Sequence, residues 1–259
     1  MRLLLSRLVQ QLYFNIFYLI GKLKLSDGTY FFINKNMMGY YIFCEAFLKK
    51  DYEKAAFKFL NNLETDGDII VVGANEGYYA VRLAKKNMGK KVVHAFEPVE
   101  ENIDALSKNI KLNNLLDYVI VNQCAVGDYV GDIEITTLPG KYSSLSSVSP
   151  MSNGSKVSVP ILTLDHAFKD KNIGLIIMDV EGHELHVLRG AMKLIKSSLP
   201  VIFLEHEDSR NNQDSLNEIE ECLRSLGYDL YSHVEGSTIT LFSGHRNSGH
   251  NLIAIHGVN

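Results

Sequence analysis

The chain has few residues of several types, and each shortage limits the class of protein that it can be. It has no tryptophan, only 5 prolines and only 3 cysteines among 259 residues. Cys44, Cys124 and Cys222 are odd in number and far apart in sequence. That usage argues against a disulfide framework or a cysteine-ligated metal site, and it favours a reducing, cytoplasmic location.

Charge of one sign and long apolar runs are also scarce. The formal net charge is -4 without a long run of one sign, so nothing indicates a nucleic-acid partner. The apolar stretch at residues 12–20 is broken by Asn15 and is shorter than the roughly 20 residues that span a bilayer. Residues 1–20 therefore predict an amphipathic helix that packs on the protein or a partner. A peripheral membrane-surface helix and a cleaved signal are the alternatives.

A glycine turn between a short apolar run and a helical pattern is the most informative local motif. The run at 69–72 ends at Gly73, and Gly77 precedes a helix predicted over 77–87. A strand, a glycine turn and a helix N-terminus together present backbone N–H groups to a nucleotide-like ligand. The form is G-x-N-x-G and not G-x-G-x-x-G, which argues against a nicotinamide-dependent oxidoreductase. An ordinary βα turn is the other interpretation.

Acidic residues follow two further predicted strands. Glu97 ends the strand at 91–96, at the distance from the glycine turn where a carboxylate can bind ribose hydroxyls. Asp179 ends an apolar strand, and Glu181, His183 and Glu184 follow it before a helix. Ligands of open α/β sheets bind outside the carboxyl ends of the strands, so these side chains are expected to face one cleft with Gly73.

Three segments in this order resemble one known family. They are Val-Gly-Ala-Asn-Glu-Gly-Tyr-Tyr (72–79), Ala-Phe-Glu-Pro (95–98) and Asp-Val-Glu-Gly-His-Glu (179–184), and they resemble the FkbM family of S-adenosylmethionine (SAM)-dependent methyltransferases. The resemblance implies a Rossmann-like class I methyltransferase fold, with a mostly parallel seven-stranded sheet flanked by helices. It also implies methyl transfer to a hydroxyl of a sugar, glycan or small natural product. The family usually has Asp where this chain has Val71, and Asp68 or Glu76 are the acids that would compensate.

The resemblance implies roles for individual residues. His183 is the first candidate for the general base that accepts the hydroxyl proton, and Asp179 or Glu181 would orient it. The alternative for His183 is a structural role near the helix start, in which its side chain bonds only to backbone. Glu205 would bind or orient the acceptor. The residues implied in cofactor binding are Gly73, Ala74, Asn75, Gly77, Tyr78, Glu97, Cys124, Ala125 and Asp179. For Cys124, a buried small apolar residue without contact to a ligand is the alternative.

A divalent cation is a further possibility at the same edge of the sheet. Residues 205–208 supply oxygen and nitrogen ligands next to Asp179 and Glu181, and such a metal would lower the pKa of a bound hydroxyl. Carboxylates at strand ends also occur without metal, and no metal ligand is assigned.

The chain divides into two predicted parts. Residues 1–64 form an N-terminal extension with the amphipathic helix, a hairpin at 22–34 and a helical cap, and residues 65–259 form the SAM-binding domain. The Ser-rich stretch at 138–158 is a substrate-covering or flexible loop. The predicted partner is a small-molecule or carbohydrate acceptor. The alternative function is a catalytically degenerate methyltransferase fold that serves as a binding module.

Overall fold

The computed structural model of the protein describes the chain in several stretches. They comprise residues 19, 21–34, 36–48, 54–138, 146–147, 154–205, 213–234, 238–241 and 251–257. The helix predicted over residues 1–20 lies outside them except for Leu19, and so does most of the loop predicted at 138–158. In these stretches no helix combines the length and the apolar content that a bilayer crossing requires.

The secondary structure follows the βα alternation that the sequence predicts. The strands are β1 (Lys22–Lys24), β2 (Tyr30–Phe32), β3 (Asp68–Val72), β4 (Val93–Phe96), β5 (Val119–Asn122), β6 (Ala125–Val126), β7 (Gly131–Thr137), β8 (Ser146–Ser147), β9 (Ser155–Leu162), β10 (Ile173–Met178), β11 (Val201–Glu205), β12 (Tyr228–Val234), β13 (Thr238–Leu241) and β14 (Asn251–His256). The helices are α1 (Met37–Phe43), which continues into a π-helical turn (Cys44–Leu48), α2 (Lys54–Asn62), α3 (Tyr78–Lys86), α4 (Glu100–Leu112), α5 (Leu164–Ala167), α6 (Glu184–Arg189), α7 (Met192–Ser198) and α8 (Gln213–Ser225).

An eight-stranded sheet forms the centre of the described structure. Its strand order is β13-β12-β14-β11-β10-β3-β4-β5. The neighbours from β11 to β5 are parallel, whereas β14 is antiparallel to both β11 and β12, and β13 is antiparallel to β12. The expected mostly parallel sheet flanked by helices is therefore confirmed. It has one strand more than the seven predicted, because β13 extends the edge.

Strand β3 shows how the sequence separates the two helical layers. Ile69 and Val71 belong to a core cluster that includes apolar residues of α3, α4 and the N-terminal extension. Ile70 and Val72 belong to the opposite cluster, with apolar residues of α6, α7 and α8. Successive side chains of a strand point to opposite faces, and both faces are covered here, so the run is apolar throughout.

A second, four-stranded sheet lies between β5 and β10 in the sequence. Its order is β6-β9-β7-β8, with β6 parallel to β9 and β7 antiparallel to β9. Ile135 of β7 and Val159 of β9 pack against Val99, which caps the start of α4. This packing holds the second sheet beside the carboxyl ends of the main strands, where the candidate site lies.

The N-terminal hairpin docks on α4 through hydrogen bonds from its backbone N–H groups to asparagine side chains of the helix. β1 pairs with β2 from Lys22↔Phe32 to Lys24↔Tyr30, as the Asp27-Gly28 turn predicts. The Phe32 N–H donates to Asn109 Oδ1 and the Tyr30 N–H donates to Asn113 Oδ1, each at 2.9 Å. Asn109 and Asn113 are four residues apart and therefore lie on one face of the helix. That spacing lets two side chains of α4 accept the N–H groups along the free edge of β2.

Helix α3 is held by the same N-terminal extension. The buried Arg82 guanidinium donates to Asp27 at 2.6 Å and pairs with Glu45 at 3.1 Å. Its Cζ atom lies 3.5 Å from the ring centroid of Phe57, a cation–π contact. Because α3 begins directly after the glycine turn, these contacts connect the extension to the candidate site.

Candidate active site

An open cleft lies at the carboxyl ends of β3, β4 and β10. The structure places eight of the predicted site residues in its lining, namely Gly73, Asn75, Glu97, Cys124, Ala125, Asp179, Glu181 and His183. Sequence reasoning did not single out the other lining residues, Val72, Phe96, Pro98, Val126, Ile135 and Val180.

The glycine turn adopts a left-handed conformation at three positions. φ is +77° at Gly73, +49° at Asn75 and +95° at Gly77. Asn75 is the only non-glycine among the three, and it adopts a conformation that side chains other than Gly, Asn and Asp rarely accept. A Cβ atom added at Gly73 would lie 1.9 Å from the carbonyl oxygen of Asp179. Glycine therefore allows the turn to contact the backbone that follows β10.

Glu97 fixes this turn from the neighbouring strand. Its Oε2 accepts the Asn75 N–H at 2.8 Å, and its Oε1 accepts the Val99 N–H at 3.0 Å and the Asn102 amide at 3.1 Å. Burial raises the pKa of the carboxyl group, and the three hydrogen bonds oppose that effect. Because every donor is an N–H group, the contacts suit the ionised form. Glu97 thus places acceptor oxygens in the cleft wall.

The turn after β10 brings Asp179, Glu181 and His183 to the same cleft. Glu181 has φ +52° and Gly182 has φ +99°. The Gly182 N–H donates to Glu184 Oε1 at 3.0 Å, which closes the turn before α6. A non-glycine residue held in a left-handed conformation is a form of strain that clusters at functional sites.

His183 lines this cleft, and its Nε2 atom is buried close to Gly127. The residue is only 9% exposed, and among the described residues its Nε2 atom has no hydrogen-bond partner. A buried polar atom without a partner costs free energy. Burial, together with the charge of His186, lowers the pKa of His183 to about 4. The imidazole is therefore neutral near pH 7.

An Asp–His pair behind His183 was not foreseen from the sequence. The rings of His183 and His186 are stacked, with centroids 4.5 Å apart and planes 13° apart. His186 Nδ1 lies 2.8 Å from Asp128 Oδ2, and this hydrogen bond holds the pKa of Asp128 below its usual value. The one-turn spacing of His183 and His186 was available in the sequence, but Asp128 comes from the distant β6–β7 connection.

Cys124 contributes an apolar surface and not a reactive thiol. Burial raises its pKa to about 11, so the thiol stays protonated at physiological pH. It belongs to the same core cluster as Phe96 and Val126, which also line the cleft. Together these side chains form an apolar wall of the kind that accepts a planar ring.

Four predicted site residues do not line the cleft. Ala74 and Gly77 take part in the turn through their backbone, and the Gly77 N–H donates to the Ala74 carbonyl at 2.8 Å. Tyr78 points to the opposite side of α3, where its hydroxyl donates to Glu45 at 2.8 Å. Glu205 lies at the end of β11, in register with Asn251 of β14.

The described part of the chain holds no group of three His, Cys, Asp or Glu residues that is arranged to bind a metal ion. Residues 206–208, which the sequence suggested as additional ligands, lie outside that part. The described cleft therefore offers hydrogen-bonding groups and a neutral imidazole.

Comparisons with known proteins identify the family of the chain. The model of the methyltransferase FkbM domain matches residues 72–230, which is more than half of the chain. Methyltransferase sdnD of Sordaria araneosa is 26% identical over 194 residues, covering 62% of this chain and 72% of that protein. Methyltransferase 1 of Beauveria bassiana is 26% identical over 196 residues, covering 66% of this chain and 76% of that protein.

A solved structure gives the fold. The FkbM methyltransferase from Methylobacillus flagellatus superposes with a TM-score of 0.50 at 19% identity. The match covers 73% of this chain but only 43% of that protein, so the chain spans less than half of the solved protein's length. The likeness concerns the fold alone, and it confirms the expected Rossmann-like class I methyltransferase fold.

Proposed function

Because the chain belongs to the FkbM methyltransferase family, we propose that it transfers a methyl group from SAM to a hydroxyl oxygen of a sugar or another small metabolite. The observation that carries this proposal is the pairing of two features in one cleft. One is the left-handed glycine turn bound to the buried Glu97. The other is the neutral His183 with its unpaired Nε2 atom.

The residues present fit the cofactor. Glu97 offers carboxylate oxygens suited to ribose hydroxyls, and the apolar wall formed by Phe96, Cys124 and Val126 suits a purine ring. The glycine turn at the start of α3 suits a polar ligand through its backbone N–H groups and the helix dipole. When bound, SAM supplies an electrophilic methyl group on a sulfonium centre.

His183 would act on the acceptor. The imidazole would take the proton of the acceptor hydroxyl while the hydroxyl oxygen takes the methyl group that bound SAM would supply. The positive charge that develops on the imidazole is partly offset by the Asp128 carboxylate, whose charge raises the pKa of His183. Holding the acceptor in line with the methyl group supplies a further part of the rate acceleration.

Asp179 and Glu181 are suited to bind an acceptor that carries several hydroxyl groups. Both residues line the cleft on the same turn as His183. Carboxylates accept hydrogen bonds, and a sugar ring carries several neighbouring hydroxyl groups that can donate them.

The test is incubation with SAM labelled in the methyl group and a panel of sugars, glycosides and hydroxylated small molecules. Product analysis should find an acceptor whose mass rises by one CH2 unit, with the label in an O-methyl ether. A labelled product carrying the methyl group on nitrogen or carbon would contradict oxygen as the target. SAM binding without label transfer to any member of the panel would favour the binding-module alternative.

A further inference from the structure

The acid that the family usually has before the glycine turn is replaced here by a core residue. Val71 is buried in β3 among apolar side chains of α3 and α4. Asp68 does not replace the missing acid, because it lies at the amino end of β3, where it accepts the Val92 N–H at 3.0 Å and contacts His94 at 3.2 Å. The cleft lies at the other end of the strand. Glu76 is the remaining candidate.

Glu76 lies within the glycine turn and is 1% exposed. Its Oε2 accepts the Asn34 side-chain amide at 2.9 Å, and its Oε1 accepts the Asn36 amide. Its backbone carbonyl accepts the Asn109 amide at 2.8 Å. The carboxylate is thus enclosed by the N-terminal extension, directly beside the cleft-lining Asn75.

The contacts of Glu76 suit a negative charge. Both carboxylate oxygens accept from amide N–H groups, and the residue precedes the first turn of α3, where the helix dipole favours an anion. Among the described residues no Lys, Arg or His side chain forms an ion pair with it. Burial raises the pKa of Glu76, and the hydrogen bonds from Asn36 and Asn34 oppose that effect. Glu76 is therefore a buried carboxylate without a positive partner in the described chain.

We propose that Glu76 supplies a fixed negative charge that favours the sulfonium form of the cofactor over the neutral thioether product, and that Asn34 and Asn36 hold it in place. The inference rests on the proposed function, since it presumes that SAM occupies the cleft. SAM and S-adenosylhomocysteine (SAH) differ by one methyl group and one positive charge. Charges in a low-dielectric interior interact over distances on the order of 10 Å, so contact with the cofactor is not required. Glu76 is thus a positioning and selectivity residue and not a catalytic one.

Calorimetric titration of the Glu76→Gln variant with SAM and with SAH tests the proposal. We expect affinity for SAM to fall about 10-fold, which is about 1.4 kcal/mol, while affinity for SAH changes by less than about 2-fold. Asp104→Asn is the matched control, because it removes an exposed carboxylate from α4. It should leave both affinities unchanged.

A second variant covers the case in which Glu76→Gln does not fold. Asn34→Ala removes one donor to Glu76 from a half-buried position, and it should lower affinity for SAM relative to SAH by about 3-fold. Equal losses for both ligands, or an unchanged ratio, would show a merely structural role and overturn the inference alone. Wild-type protein that binds neither ligand would overturn the proposed function, and this inference with it.

Discussion

His183 is the residue on which the proposed chemistry depends most. The variant His183→Gln keeps a polar side chain but removes the imidazole, so we expect turnover to fall by about 100-fold or more. Affinity for SAM should stay within about 2-fold, because the cofactor-facing turn and Glu97 are unchanged. Single-turnover rates and calorimetry measure the two quantities separately. Unchanged turnover would place the base elsewhere.

The pH dependence of stability offers a second test of His183. Its pKa is about 4 in the folded protein and near 6.5 when unfolded, so the unfolded state binds more protons between these values. The free energy of unfolding should therefore fall as the pH drops from about 6.5 to about 4, by on the order of 3 kcal/mol from this residue.

Chemical denaturation of the wild type and of His183→Gln at pH 7 and pH 5 isolates that contribution. Other titrating groups are common to both proteins, so they cancel in the difference. The wild type should lose more stability than the variant over this interval. Equal losses would mean that His183 is not buried in its neutral form.

The place of a residue in the fold explains whether the sequence could identify it as part of the site. Gly73, Glu97 and Asp179 follow strands that end at one edge of the sheet, and topology alone brings such residues together. Tyr78, which was predicted to bind the cofactor, does not line the cleft, because its side chain faces Glu45. Asp128 was not predicted, because its contact with His186 joins residues 58 positions apart.

At the scale of elements, the contact between the glycine turn and the turn after β10 is the tightest feature of the site. Gly73→Ala would place a Cβ atom 1.9 Å from the Asp179 carbonyl oxygen and impose strain at φ +77°. Because backbone would have to move, we expect a loss of several kcal/mol in stability and loss of cofactor binding.

Gly89→Ala is the control for that prediction. Gly89 has φ +79°, but a Cβ atom there meets nothing within 4 Å. Its replacement should therefore cost only the conformational strain, about 1 kcal/mol, and leave binding intact. Thermal unfolding of both variants measures the two losses of stability, and the loss should be larger for Gly73→Ala. Similar losses in the two would show that the contact with Asp179 is unimportant.

The elements themselves were predictable where the pattern is local. Alternating strands and helices from β3 to β5, and the Asp27-Gly28 hairpin, follow from short-range periodicity and turn chemistry. The pairing of β6 with β9 could not be read in this way. Which strands pair across long sequence separations depends on tertiary packing.

For the whole molecule, the boundary predicted at residue 64 remains to be tested. Phe31, Ile42 and Leu60 on one side of it share a single buried cluster with Val71 and Leu83 on the other. A fragment comprising residues 65–259 would expose that apolar surface and leave Glu76 without its amide partners. We expect it to be insoluble or to unfold without cooperativity, as measured by circular dichroism and calorimetry. A fragment that folds and binds SAM like the full chain would establish an independent domain.

The most direct test of the account is calorimetric titration of the full chain with SAM and SAH, with NAD as the control ligand and Glu97→Ala as the control variant. We predict saturable binding of both sulfur ligands, no binding of NAD, and strongly weakened SAM binding in the variant, which lacks the carboxylate that holds Asn75. Absence of binding of either sulfur ligand to the well-folded wild type would contradict the account. It would mean that the fold retains the cleft without the cofactor site.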